Sequence, residues 1–333
     1  MLDILKKRWF LIGLVLAGIL GYFFQALAVH FPTWWSLSLL FSTMCFVGLT
    51  ANLKALAESF LNWKATSLSL VMTYTAAPAA AYLVGWGLFG RDHELFAGCV
   101  LVGCTASTIS SAIVYTRIAG GNNALSIVLS NMSNIISIFL TPAMVAAFLS
   151  AKVEVNVTKM VVTLVIGVLV PVIIAQTVSE ILGKKLDPFR PVASKLSQVG
   201  ILIIVFSTVC KTFYKARGQE DFFEQLPTVG LQLIIASLVI YIVLVRLSYW
   251  LARQAGLSVP DSVAVGYASS QKTLPATIVL AESFFTPMAA LPMIIYHMVQ
   301  LLYGGYDGDR LKRLVDEDRD RATAENSESK KNE

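Results

Sequence analysis

Residues 268–279 read ASSQKTLPATIV, inside an apolar stretch that runs from about Ser262 to Leu280. Lys272 stands near the middle of that stretch with no acidic residue close to it in sequence. Pro275 follows three positions later. It removes a backbone donor and clashes with the preceding turn, so a helix here kinks or breaks around 271–274. A charge and an interrupted backbone deep in an apolar segment are tolerated only where protein or a wet cavity surrounds them. The stretch therefore calls for a fold in which several apolar helices enclose a broken one.

The rest of the chain supplies those helices. Of 333 residues, 56% are hydrophobic and 14% charged, against about 45–50% and about 25% in soluble domains. A hydrocarbon layer about 30 Å thick needs about 20 apolar residues per helix. Ten such runs are read, at 9–29, 34–53, 66–89, 96–116, 124–149, 160–180, 196–213, 228–250, 262–281 and 287–306. The expectation is an all-α polytopic membrane protein whose first run stays as the first span, since no small-residue cleavage site follows it. The four cysteines, Cys45, Cys99, Cys104 and Cys210, form no CxxC pair and read as buried thiols.

Orientation follows from lysine and arginine. With ten spans and a cytoplasmic N-terminus, nineteen of the 26 fall on the inner side, among them Lys6, Lys7, Arg8, Lys54, Lys184 and Lys185. Six fall outside, Lys152 and Lys211 among them, and Lys272 is the remaining one. Both termini are then cytoplasmic in a cell (inner) membrane. The net charge of +5 is a topology signal and no nucleic-acid footprint. Residues 308–333 are polar and mixed in charge, and read as a solvated, disordered cytoplasmic tail.

Five spans in 1–150 and five in 159–307 suggest a duplication whose second copy runs in the opposite sense, an arrangement typical of transporters. In each half the fourth span is interrupted by polar residues, CTASTISSAIV at 104–114 and ASSQKTLPATIV at 268–279. Corresponding broken helices point to a substrate or ion site. Around the first break lie Thr105, Ser107, Thr108, Ser110 and Ser111. The fifth span adds Ser126, Ser130 and Asn134, four apart and so on one helix face, with Asn131, Ser133 and Ser137 beside them. Small polar residues also cement membrane helices to each other, and that reading stands beside the functional one.

A lysine at mid-membrane costs about 2.5–3.5 kcal/mol on insertion scales. No Asp or Glu falls inside a span to offset it; Glu58, Glu180, Asp261 and Glu282 are at ends. The ammonium must then be held by hydroxyls, amides, free carbonyls and the negative end of a half-helix, or lose its proton. His297 is the histidine well inside the membrane, either a hydrogen-bonded core residue or a proton relay or substrate contact. Thr73 and Tyr74, just before Pro78, and Gln271 and Thr273, beside Lys272, are further candidates. Tyr267 either lines the cavity or packs.

The stretches VGCTASTISSAIVYTRIAGGNNA (102–124), SSQKTLP (269–275) and LPMIIYHMVQ (291–300) resemble the bile acid:sodium symporter family, solute carrier family 10, and most closely its member-7-like branch. The resemblance covers nearly all of 1–306. It implies ten transmembrane helices in two inverted five-helix repeats, with a panel domain of spans 1, 2, 6 and 7 beside a core domain of spans 3–5 and 8–10, where broken spans 4 and 9 cross. Sodium-coupled relatives hold two Na⁺ there. By motif, the first site falls on Ser110, Ser111, Ser130 and Asn134, and the second includes Gln271. The family's sodium-binding glutamate is replaced by Tyr267, its span-three glutamine aligns near Thr73, and Lys272 adds a positive charge that repels a bound cation. Lys272 is thus expected to supply the charge that sodium supplies elsewhere.

These features define a secondary active transporter of a small organic, anionic solute working by alternating access. No cofactor is expected; the carrier is expected to be sodium-independent or proton-coupled, with Na⁺ and H⁺ as the candidate coupling ions. Its partners are the solute and the lipid bilayer, with no nucleic acid, and a homodimer is left open. The alternative is a non-transporting regulatory membrane protein, since the resemblance carries an association with calcium homeostasis. An enzyme is not indicated: HExxH, GxSxG and metal-ligand clusters are missing from the sequence.

Overall fold

The computed structural model describes residues 2–50, 62–91, 93–149, 156–217 and 220–332. Lys54, Glu58 and Lys152 of the charge pattern, and most of the connector between the two halves, lie outside the described residues. The helices are α1 (Leu2–Phe23), α2 (Thr33–Thr50), α3 (Trp63–Phe89), α4 (Glu94–Cys104), α5 (Ile109–Ile118) and α6 (Asn123–Leu149). There follow α7 (157–182), α8 (Arg190–Lys215), α9 (Glu220–Gln254), α10 (Val259–Ser270), α11 (Leu274–Phe284) and α12 (Leu291–Asn332). Among the described residues there is no strand. The stretches Trp63–Phe89, Asn123–Leu149, Val157–Lys215, Glu224–Gln254 and Pro287–Arg321 are long and apolar enough to cross a bilayer. The protein is an all-α polytopic membrane protein.

Both expected interruptions are present. The α4–α5 break spans 105–108 and the α10–α11 break spans 271–273. Each half-helix has 10–12 residues, or about 15–18 Å, too short to cross alone. Two other helices are locally underwound by one extra residue into π turns, α3 at Met72–Ala76 and α7 at Val165–Leu169. A proline follows each, Pro78 and Pro171. Helix starts are marked by side-chain caps: Asn156 accepts from the Lys159 amide at α7, and Ser258 accepts from the Asp261 amide at α10. Gly120, at φ +70°, takes the left-handed conformation needed for the tight turn from α5 into α6.

The helices pack as two groups. α2 lies against α7 and α8, and α1 against α8. In the other group α3 packs on α4 and α9, α9 on α10 and α12, and α5 on α6, α10 and α12. α11 belongs by sequence to the second group but reaches α2 and α8 of the first.

One expectation needs correction. Residues 309–321 are largely exposed, as expected, but the segment is helical and not disordered: α12 continues to Asn332. Leu311 and Val315 are buried with Ala119, Val259, Val263 and Tyr267, and Asp307 is fully buried, bonded to Arg246 at 2.6 Å. The apolar residues at 311 and 315 recur four apart, enough to hold a helix face onto its neighbours even in a charged segment.

α3 and α4 approach closely at Gly103. A Cβ there would stand 2.6 Å from the Ala77 carbonyl oxygen and 2.8 Å from the Ala81 Cβ. Gly103→Ala therefore overpacks the contact and is expected to destabilise the protein by about 1–3 kcal/mol, read as a lower apparent melting temperature of the purified protein; an unchanged melting curve refutes the contact.

Candidate functional site

The two breaks meet. Residues 106–108 and 271–273 run antiparallel, with Ser107 opposite Lys272. The Thr108 amide donates to the Gln271 carbonyl at 3.1 Å, and the Thr273 amide donates to the Ala106 carbonyl at 3.0 Å. Pro275 explains the first of these bonds. In a continuous helix the Gln271 carbonyl would accept from residue 275, which has no N–H, so Thr108 of the other break takes its place.

Several of the remaining backbone groups of the breaks find side chains. The Lys272 amide donates to Gln300 Oε1 at 2.8 Å, and Gln300 Nε2 donates to the Lys272 carbonyl at 3.0 Å. Tyr296 donates to the Ser270 carbonyl. On the other break Thr141 donates to the Cys104 carbonyl, Asn134 Nδ2 to the Ser107 carbonyl at 2.7 Å, and the Ser107 amide to Ser133 Oγ. Orphaned buried backbone groups cost about 1–3 kcal/mol each, and the crossing leaves few.

Lys272 completes the set. Its side chain is fully buried. Nζ donates to the carbonyls of Thr73, Gly103 and Thr105 at 3.2, 3.2 and 3.0 Å. Each acceptor is free for a reason. Gly103 lies at the negative C-terminal end of α4, and Thr105 follows directly after it. The π turn sends the Ala77 amide to Met72, and residue 78, which a continued π register would offer to Thr73, is a proline. Three carbonyls match the three N–H groups of an ammonium. Three hydrogen bonds to a charged donor, at about 1.5–3 kcal/mol each, outweigh the insertion cost of about 2.5–3.5 kcal/mol.

The candidate residues divide by position. Gln271 is fully buried, accepting from Ser111 Oγ at 2.7 Å and donating to Tyr241 Oη at 3.0 Å. Thr108 and Thr273 cap α5 and α11 and act through their amides. Thr73 contributes its carbonyl, while its hydroxyl is buried with no partner. Ser130 Oγ lies 3.4 Å from Ser107 Oγ, and Asn134 points both amide hydrogens at carbonyls, of Ser107 and Ser130. Ser110 is exposed, away from this cluster. Ser111 thus faces Gln271 while Ser130 and Asn134 face Ser107, and Asn134 presents donors where a cation needs acceptors.

His297 is buried one turn from Gln300, which donates to its Nδ1 at 2.6 Å. Because the Lys272 peptide fixes the orientation of the Gln300 amide, Nδ1 is the acceptor and the ring carries its proton on Nε2. Tyr267 packs, stacked on Tyr115 and donating to the Gly304 carbonyl. Gln300 is the functional residue that sequence reasoning missed; a glutamine one turn beyond the histidine in an apolar span was its signal. Among the described residues no group of His, Cys, Asp or Glu is arranged to hold a metal.

Beside the crossing, a cleft of about 520 Å³, counting the open space at its mouth, separates the two helix groups. Met44, Val47 and Gly48 of α2 and Val168, Leu169 and Val172 of α7 form one wall. Ile109 at the start of α5 and residues 131–138 of α6 form the other, where Asn131 and Asn134 are the polar groups. Asn131 is 5% exposed, and its Nδ2 has no hydrogen-bond partner.

A helical membrane protein whose interrupted helices cross beside a cleft between two bodies has the build of a secondary transporter. Residues 8–313 match the SBF-like CPA transporter family, and the chain belongs to that family. It is 27% identical over 316 residues to sodium/bile acid cotransporter 7 of Danio rerio, covering 90% of this chain and 92% of that one. The rat protein of the same name, from Rattus norvegicus, is 25% identical, covering 91% and 92%. Sodium/bile acid cotransporter 7-B of Xenopus laevis is 25% identical over 91% of each chain. The family is one of transporters and not of enzymes.

Lys272→Met leaves three carbonyls orphaned and is expected to cost about 3 kcal/mol or more; Gln300→Leu, which orphans the two backbone groups of Lys272, costs less but in the same direction. Thermal unfolding in detergent checks both, and a Lys272→Met protein that melts with wild type refutes the role given to the ammonium.

Proposed function

We propose that the protein is a sodium-independent secondary transporter of a small organic anion, in which the Lys272 ammonium permanently fills the place of a bound cation. The observation that carries this reading is the triple hydrogen bond from Nζ to Thr73, Gly103 and Thr105. A resident ammonium at the crossing satisfies the carbonyls that would otherwise attract a metal ion, and it repels a second cation nearby. Tyr267 in place of a carboxylate removes a ligand that sodium would need.

Lys272 is enclosed, so the solute meets other groups. The cleft walls suit an apolar body. An anionic end is favoured at the start of α5, where Ile109 lines the cleft and Thr108 makes no side-chain cap, leaving the positive end of the helix dipole open. The unpartnered Asn131 Nδ2 offers one more donor to the same cleft. The lysine and arginine asymmetry supports a cell-membrane orientation with both termini cytoplasmic. It places the cleft residues of α2 in its cytoplasmic half. The inverted repeats, with α1, α2, α7 and α8 as the panel and the other helices as the core, supply the two bodies that alternating access requires.

Counterflow in proteoliposomes tests the reading. Saturable exchange of an apolar carboxylate is expected at equal rates in Na⁺ and in choline, and an imposed pH gradient shows whether protons drive it. Exchange that requires Na⁺ overturns sodium independence, and no exchange across a panel of organic anions overturns the carrier.

A further inference from the structure

The seam between the two helix groups is aliphatic along the cleft apart from Asn131 and Asn134, and among the described residues it is bridged by hydrogen bonds at one place. Glu282, near the end of α11, inserts among three residues of the opposite group. Its Oε2 accepts from Ser36 Oγ of α2 at 2.6 Å and from Lys211 Nζ of α8 at 2.8 Å, and its Oε1 accepts from Thr208 Oγ1 of α8 at 2.6 Å. Lys211 also donates to Ser36 at 3.0 Å. The ion pair is largely enclosed, with side chains 12% and 8% exposed. Among the described residues, the hydrogen bonds that join the two groups all end on Glu282.

Its position gives it a role. Ser36 precedes Met44, Val47 and Gly48 of the cleft wall by 8 to 12 residues along α2, about 12–18 Å, so the polar contact and the cleft lie toward opposite ends of the seam. α11 itself begins at the crossing, with Thr273 as its cap, and ends just past Glu282. A rigid half-helix thus joins the site to the contact. An apolar seam slides without leaving buried polar groups unpaired. A buried ion pair does not separate without exposing both charges to solvent or stranding them.

We propose that Glu282 is a latch that holds the transporter closed on the side opposite the cleft, and that its release from Lys211, Ser36 and Thr208 is an obligatory step in turning the carrier over. The latch rests on the alternating-access reading above and adds the residue that sets which side is open. With the latch engaged, the cleft side is accessible. With it released, α11 moves relative to α2 and α8, and the cleft closes as the other side opens.

Hydrogen–deuterium exchange of the protein in nanodiscs reads this without a solute. Wild type is compared with Glu282→Gln, Lys211→Met and the reversed pair Lys211→Glu/Glu282→Lys. For the single variants, segments 33–40, 204–213 and 277–284 are expected to exchange faster, by about tenfold for a shift of about 1.4 kcal/mol. Segments 43–50, 131–138 and 165–172 around the cleft are expected to exchange more slowly, because that side is closed more of the time. The reversed pair is expected to return both sets toward wild type. A merely structural ion pair loosens the first set and leaves the cleft segments unchanged or faster; that result overturns the latch, as does no change in either set. Should a single variant not fold, the reversed pair and the remaining single variant decide between the same outcomes. Counterflow by the wild type is measured in parallel: its absence overturns the carrier reading, whereas a missing reciprocal shift beside intact counterflow overturns the latch alone.

Discussion

Breaking a helix inside a membrane frees peptide groups where no water can satisfy them, and two helices of this protein break at the same place. Each break offers what the other lacks. The amides of Thr108 and Thr273 serve the carbonyls of Gln271 and Ala106 across the crossing, in a pairing that is nearly symmetric about Ser107 and Lys272. Mutual pairing still leaves an excess of carbonyls, because a half-helix that ends in the membrane exposes its C-terminal acceptors. Lys272 meets that excess with three N–H groups on one atom. A metal ion would do the same task with the same sign of charge, and a lysine does it covalently.

The π turn of α3 belongs to the same solution. An extra residue in the turn and a proline five positions beyond Thr73 free one carbonyl at the point where the ammonium needs a third acceptor. Gly103, which lets α3 and α4 approach closely, brings that carbonyl within reach. Gln300 then holds the peptide of Lys272 itself, and so directs its side chain. The helices that surround the crossing are α3–α6 and α9–α12.

The hydrogen-bonded crossing contrasts with the seam beside it. The cleft walls are aliphatic apart from Asn131 and Asn134, and side chains of that kind slide past each other at little cost in hydrogen bonds. One polar contact, at Glu282, interrupts the seam.

The fold was legible in the sequence where local rules operate. The apolar runs gave the helices, Pro275 marked the second break within one residue, and the lack of a partnering carboxylate near Lys272 left backbone carbonyls as its acceptors. The tail misled because a charged segment with few apolar residues reads as disordered until something packs on Leu311 and Val315. Which carbonyls Lys272 reaches, that Gln300 clamps it, that Ser110 faces away and that Glu282 meets Lys211 were not legible. These contacts join residues 28 to 199 positions apart or depend on which way a helix is turned, and periodicity within one segment carries no information about the rotation of another. Local sequence sets where a backbone must break, because that depends on one proline and its neighbours. Which groups then satisfy the broken ends depends on how the helices pack, since a hydrogen bond is made or lost over a few tenths of an ångström.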